Sequence, residues 1–271
     1  MDDQQFRRIL DFLGLSWKGY RKVRKGVKRC ISRHMLQIGF RRVDELLLAM
    51  ETDGELRKQV ENLMTVSISR FFRDWELWQI LEKCILPEMI ERKYGKVNVW
   101  SAGCACGEEV YSFRILWDTM QRHFEWMPEL ELWATDLNPL YLEKAREGIY
   151  PLSSLKELQP EYRVAYFTTR SEARFRVSDF LKEGVLWRVH NLLSDVPPRT
   201  GFQLIFLRNS LLTYYKDEIK EQALGRIVES LEPGGFLIIG SHEKMSPSGS
   251  LVPFPHHPDI LKRAGIPVRG S

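Results

Sequence analysis

The stretch Val97 to Ser112, VNVWSAGCACGEEVYS, constrains the fold more than any other in the chain. Val97, Val99 and Trp100 are apolar and β-prone. A run of small residues follows, with glycines at 103 and 107, then the acids Glu108 and Glu109, then a helical pattern from Val110. This reads as a strand, a tight glycine turn and a helix start. Glycine admits positive φ and lets a ligand approach the backbone closely, so Gly103 and Gly107 are expected beside a ligand. No phosphate-binding lysine follows, and the spacing is not G-x-G-x-x-G. Acids at a helix start repel phosphate and suit a cation. That points toward S-adenosylmethionine, whose sulfonium and amino groups are positive. A purely structural corner would carry the same pattern.

A chain of 271 residues suits one large domain or two of modest size. Its N-terminus, MDDQQFRRIL, lacks an apolar run of signal type, and no segment reaches the length of a membrane span, so a cytoplasmic location is expected. Cys30, Cys84, Cys104 and Cys106 are spaced neither as a disulfide frame nor as a zinc site, and no metal is expected. The net charge of +4 is modest but uneven. Lys18 to Arg42 is dense in Lys and Arg and holds no acid.

Residues 1 to about 75 read as helices. The second runs from Tyr20 to Ile38, with Val23, Val27, Cys30, Ile31 and Met35 at helical spacing and a face of Arg21, Lys22, Lys25, Lys28, Arg29 and Arg33. That face is either solvated or a docking surface for an acidic partner. Nucleic acid is disfavoured, because interleaved aromatics are missing. After TVSISRFFRD (65–74) and a helix from Trp75 to Arg92, a β-α rhythm begins. Strand Leu130–Ala134 ends in Asp136, where an acid of a doubly wound sheet binds ribose hydroxyls. Arg174–Phe180 and Val185–His190 read as two antiparallel strands about a Lys182–Gly184 turn, an insertion at the sheet edge. Phe202–Leu207 and Phe236–Gly240 read as buried parallel strands. The tail from Ser246 crosses the sheet once more as a weak strand near Leu251–Pro253 or further on. The expected architecture is α/β: a Rossmann-like methyltransferase sheet over 76–271, a small all-helical N-terminal domain over 1–75, and a small antiparallel β insertion at about 165–190.

Four motifs in this order, TVSISRFFRD, VWSAGCACGEEVYSF, ATDLNPLYLEKAREGIY and FQLIFLRNSLLTYY, resemble the CheR family of chemotaxis receptor methyltransferases over roughly residues 5 to 250. The resemblance implies S-adenosylmethionine-dependent O-methylation of glutamate side chains on chemoreceptors. It implies that Ser67, Ser69 and Arg73 line the cofactor pocket, with Ser67 and Ser69 where the family usually has Asn and Thr. It further implies Glu109 near the methionine end, Asp136 on the ribose, Asn191 and Leu192 flanking the adenine, and Leu207 and Arg208 beside the cofactor. The family's tyrosine four residues after the Arg-Asn pair is Thr213 here. A one-residue shift of the turn presents Tyr214 instead.

A glutamate carboxylate is ionised at neutral pH and attacks a methyl group without a general base. Alignment and exclusion of water are then the tasks of the protein. Arg73 is expected to orient the substrate carboxylate, or the cofactor beside it, and Tyr214 to line the site. The basic helix, through Arg21, Lys25, Lys28, Arg29 and Arg33, suits an acidic chemoreceptor coiled coil. The rival readings are methylation of another carboxylate or acceptor, and a cofactor-sensing module without catalysis. His242 and Glu243 carry no assigned chemistry.

Overall fold

The computed structural model describes residues 1–171, 173–245 and 249–265. Helices α1 (Asp3–Phe12), α2 (Trp17–Tyr20), α3 (Arg24–Gln37), α4 (Val43–Thr52) and α5 (Gly54–Met64) come first. They bury a cluster of their own around Phe6, Ile9, Ile31, Leu46 and Val60. Asp2 caps α1 in a reciprocal box with Gln5, and Asp53 caps α5. The single helix expected over Tyr20–Ile38 is broken at Arg21–Val23. Arg21, Lys22, Arg24 and Lys25 crowd like charges at what would be one helix, and cations oppose the dipole of its N-terminal end. Tyr20 meanwhile turns inward, its hydroxyl donating to the Met64 carbonyl at 2.9 Å.

Helices α6 (Trp75–Ile80) and α7 (Leu86–Glu91) are joined by a π-helical turn, Leu81–Ile85. Pro87 lacks an N–H and crowds the carbonyl four residues back, which a widened turn accommodates. Then come β1 (Lys96–Ala102), α8 (Glu108–Gln121), β2 (Glu129–Asp136), α9 (Pro139–Glu147), β3 (Ile149–Pro151), α10 (Pro160–Tyr166), β4 (Phe167–Ser171), β5 (Arg174–Val177) and β6 (Val185–Val189). The chain continues with β7 (Phe202–Leu207), α11 (Leu211–Tyr214), α12 (Asp217–Ser230), β8 (Leu231–Ile239), β9 (Leu251–Phe254) and β10 (His257–Arg263). Seven strands form one sheet in the order β6-β2-β1-β7-β8-β10-β9, with β10 antiparallel to both its neighbours. The strand order reverses at β1, whose neighbours β2 and β7 are both parallel to it. A crevice therefore opens beyond the carboxyl ends of these three strands.

One expectation about the strands needs correction. Val185–Val189 is not the hairpin partner of Arg174–Val177; it is the edge strand of the main sheet, parallel to β2 from Leu132↔Val185 to Asp136↔Val189. β5 instead sits between β3 and β4 in a separate three-stranded sheet. The αL glycine at 148 ends α9, and its carbonyl accepts from the Val177 N–H at 2.9 Å, which delivers β3 alongside β5. In the tail both expected alternatives are strands: β9 falls near Leu251–Pro253, and β10, further on, is the one that joins β8. Residues 246–248 and 266–271 of that tail lie outside the described residues. Among the described residues, no helix is long and apolar enough to cross a membrane.

Candidate active site

Beyond the ends of β1, β2 and β7 lies a cleft of two adjoining lobes that share Val66, Gly103, Ala105 and Asn209 in their walls. The larger, about 300 Å3, is lined by Asp136, Tyr141, Asn191 and Leu192 on the sheet side. Leu13, Leu15, Tyr20 and Met64 of the N-terminal helices, with Tyr214 of α11, close it from the other side. The smaller, about 50 Å3, is lined by Ser69, Arg73, Glu109 and Arg208. The N-terminal helices are tied over the cleft by backbone bonds, Ser16 N–H to the Tyr214 carbonyl at 2.8 Å and Lys216 N–H to the Gly14 carbonyl at 3.1 Å. Gly19 permits this approach, since a Cβ there would lie 2.1 Å from the Thr213 carbonyl oxygen.

In the larger lobe Asp136 accepts from the Ala105 N–H through Oδ2 and from the Asn138 N–H through Oδ1, each at 2.9 Å. Each bond occupies one of the lone-pair sites on its oxygen, so each oxygen retains capacity for a ligand hydroxyl. Burial nonetheless pushes its carboxyl above the ordinary range. Asn191 uses its side-chain oxygen on the Leu193 N–H and its own N–H on Asp195, which fixes the 191–195 loop at the cleft wall.

The smaller lobe is ionic. Arg208, with a side chain only 4 % exposed, meets Asp74 Oδ2 at 2.5 Å through Nη2 and Glu109 Oε2 at 3.2 Å through Nη1. Glu109 also accepts from Ser101 Oγ at 2.7 Å. Burial raises the Glu109 carboxyl, against the pull of Arg208 and Arg73. Arg73 donates to the Ile68 carbonyl at 3.1 Å. Glu108, the other acid of the turn, lines neither lobe; it is held from behind by Ser154 and by Ser69 of the smaller lobe's wall.

The predicted residues separate accordingly. Gly103, Asp136, Asn191, Leu192 and Tyr214 meet in the larger lobe, and Ser69, Arg73, Gly103, Glu109 and Arg208 in the smaller. Ser67 lies against Cys106 Sγ at 3.3 Å and lines neither lobe. Leu207 is fully buried in the cluster that holds Trp100, Ala102 and Leu211, and lines neither lobe. Gly107, expected to lie under a ligand, serves packing instead: a Cβ would meet Ala145 at 2.9 Å and Trp187 at 3.1 Å. Thr213 turns its hydroxyl to Glu243 Oε1 at 2.6 Å, while the next residue, Tyr214, lines the cleft and packs on Tyr20 with ring centroids 5.0 Å apart. Burial raises the Tyr214 phenol, which keeps it protonated.

Sequence reasoning missed Asn209, Ala105 and Glu243. Asn209 (φ 53°) and Ala105 (φ 48°) are left-handed non-glycine residues on both lobes, and Phe72 (φ 52°) and Asp74 (φ 62°) bracket Arg73 in the same conformation. Strained backbone of this kind gathers where geometry is held for function. Glu243 holds the Asn209 turn, accepting from the Asn209 and Gly240 N–H groups at 2.9 and 2.7 Å. An asparagine after an apolar strand was the available signal for the first; nothing in the pattern marked the other two.

The residues fit S-adenosylmethionine: a buried acid at the end of β2 for a diol, a cleft of ligand size, and a carboxylate in the narrower lobe. A glycopeptide N-methyltransferase, MtfA, in complex with sinefungin overlays with a TM-score of 0.37 at 13% identity, over 65% of this chain and 52% of that one. A TehB-like SAM-dependent methyltransferase from Corynebacterium glutamicum gives 0.37 at 15%, over 70% and 93%. Overlap this low carries no inference. The sequence relatives are nearer. A chemotaxis protein methyltransferase of Listeria innocua is 32% identical over 235 residues, 86% of each chain. Chemotaxis protein methyltransferase 1 of Pseudomonas aeruginosa is 31% identical over 221 residues, 80% of each. Residues 67–254 match the family described as CheR methyltransferase, SAM binding domain, and that span contains Arg73, Glu109, Asp136, Asn191, Arg208 and Tyr214. With the sheet side of the cleft, Glu109 and Asp136 included, lying inside the matched span, this chain belongs to the CheR methyltransferase family and binds S-adenosylmethionine.

Proposed function

We propose that this protein methylates glutamate carboxylates on the acidic cytoplasmic helices of a chemoreceptor, acting in the cytoplasm. The observation that carries the reading is the small lobe, where Arg73 stands beside the Glu109–Arg208–Asp74 cluster at the end of the larger cleft. The bound cofactor supplies a methyl group on a sulfonium. Asp136 holds the ribose hydroxyls, Asn191 and Leu192 flank the base, and Ser69 and Glu109 face the amino-acid end.

Arg73 receives the substrate carboxylate. Its guanidinium carries five donors, and among the described residues only one bond, to Ile68, is made within the chain. Tyr214 adds a protonated hydroxyl, taking the place that Thr213 has turned away from. No base is needed, because the nucleophile is already an anion. The three arginines of the lobe, Arg70, Arg73 and Arg208, are balanced only when Glu109 in its wall is counted with Asp74 and Glu157 behind it, the partners of Arg208 and Arg70, so the lobe accepts a sulfonium and a carboxylate together without a large field favouring either. Closing the N-terminal helices over the pair excludes water and strengthens their attraction. The exposed cations Arg21, Lys25, Arg29 and Arg33, with Lys28 beside them, suit the acidic helix that brings the substrate.

The test is incubation of the purified protein with methyl-labelled cofactor and receptor cytoplasmic fragments. Base-labile label on glutamate is expected. Base-stable label would point to another acceptor, and cofactor binding without turnover to a sensing module; either sinks the proposal.

A further inference from the structure

Asp74 is given no contact with substrate or cofactor in the reading above and does not line the smaller lobe, yet it is paired with Arg208 in the wall of that lobe. Its backbone is left-handed, as is that of Phe72 two residues earlier. Its carboxylate meets Arg208 Nη2 at 2.5 Å, and that same nitrogen donates to the Arg73 carbonyl at 3.1 Å. Arg208 Nη1 goes on to Glu109. The Arg73 carbonyl also accepts from Trp78 Nε1 at 2.9 Å, and the Asp74 N–H is held by Glu157 at 3.2 Å. The backbone of Arg73 is thus fixed from three sides, while its side chain is left nearly free for a ligand. One buried guanidinium spans the interval from Arg73 to Glu109, and Asp74 is the acid that holds it at the Arg73 end.

We propose that Asp74 is a positioning residue: through Arg208 it sets the Arg73 backbone at a fixed separation from Glu109. The inference rests on the reading of Arg73 as the group that meets the substrate carboxylate. Orientation of this kind is worth large factors in rate when the reacting atoms must be in line. Asp74→Asn is the discriminating change, because asparagine tolerates the left-handed backbone and differs chiefly by the charge.

Four measurements on the full chain decide it. Turnover of receptor fragments by Asp74→Asn should fall about ten- to a hundredfold in kcat/KM, the range for losing a charge-assisted bond. Calorimetric affinity for S-adenosylhomocysteine should stay within about threefold, because the Arg208–Glu109 pair remains. In an Arg73→Lys background the same substitution should cost little more, since its effect passes through Arg73. Additive losses, or a loss of product affinity as large as the loss of turnover, would overturn the proposal. Amide exchange at residues 68–74 should quicken in Asp74→Asn and stay unchanged at 136–141. If wild-type protein forms no glutamate ester, the reading of its function fails, and exchange alone decides the role of Asp74: unchanged exchange at 68–74 refutes it.

Discussion

In the small lobe Arg208 is almost wholly out of water and is bonded to two acids; on α3 and just before it, Arg21, Lys22, Lys25, Arg29 and Arg33 stand in solvent. Among the described residues Arg21, Lys22, Lys25, Arg29 and Arg33 make no ion pair, and only Arg24 and Lys28 meet an acid, Asp3. The difference follows from solvation. A buried charge survives only with partners, so its position is fixed to a fraction of an ångström. An exposed cation keeps its water and acts through a field that reaches about a Debye length, roughly 8 Å at physiological salt. The cleft therefore encodes geometry, whereas α3 encodes attraction.

Removing the central partner should break the first half of this comparison most severely. Arg208→Met leaves the buried Glu109 and the half-buried Asp74 without their cation; the uncompensated charge at the Glu109 end costs up to about 3–5 kcal/mol. Chemical denaturation should show that loss, and turnover should vanish. A variant as stable as the wild type would mean that the cluster is not what holds the lobe together.

Asp136→Asn sharpens the same half with less damage to the fold. On the proposed reading, cofactor affinity should drop about ten- to a hundredfold, since an amide replaces a carboxylate that serves two backbone donors and is assigned the ligand hydroxyls as well. The pH dependence carries a sign. Burial raises the carboxyls of Asp136, Glu108 and Glu109 in the folded chain. The folded state then binds protons more tightly than the unfolded one. The stability these groups lend is fully present below the ordinary values of 3.8 and 4.5 and is lost as pH rises through their raised ones. Stability of the free protein and cofactor affinity should thus move in opposite directions as pH falls into that window. In Asp136→Asn both slopes should flatten; a slope in affinity that persists unchanged would remove Asp136 from the site.

Glu243→Gln probes the support behind the cleft. Three donors converge on one carboxylate, and glutamine offers a single acceptor oxygen, so stability should fall by about 1–3 kcal/mol. Because Asn209 lines both lobes, cofactor affinity should fall with it. Unchanged affinity would confine Glu243 to folding.

What could be read in advance divides along the same line. Val97–Trp100 and Phe202–Leu207 announced buried strands through continuous apolar residues, and Asp136 announced itself by standing at a strand end. Local pattern was enough in each case. The role of Glu243 needs donors from three places in the chain, and Gly107 is required by Ala145 and Trp187, far away in sequence. β6 was misassigned because an edge strand is only half buried, so Val185–Val189 looks the same beside β2 as beside β5. The position of Asp74 depends on Arg208, 134 residues later. Contacts of that range leave no periodicity to read.

The exposed half of the comparison makes the mildest prediction for the cleft. Reversing Lys25, Arg29 and Arg33 to glutamate removes no bond among the described residues, so thermal stability and cofactor affinity should stay as in the wild type. Association with acidic receptor fragments should slow about tenfold at low salt, because steering by a charged face raises the on-rate by that order or more. On the proposed reading the bound substrate meets the same Arg73, so kcat at saturation should be unchanged while KM rises. Added salt should erase the difference between variant and wild type, since screening removes from the wild type what the substitutions removed. A salt-independent loss of kcat would place these cations in the chemistry instead, and no change at all in KM would leave the face merely solvated.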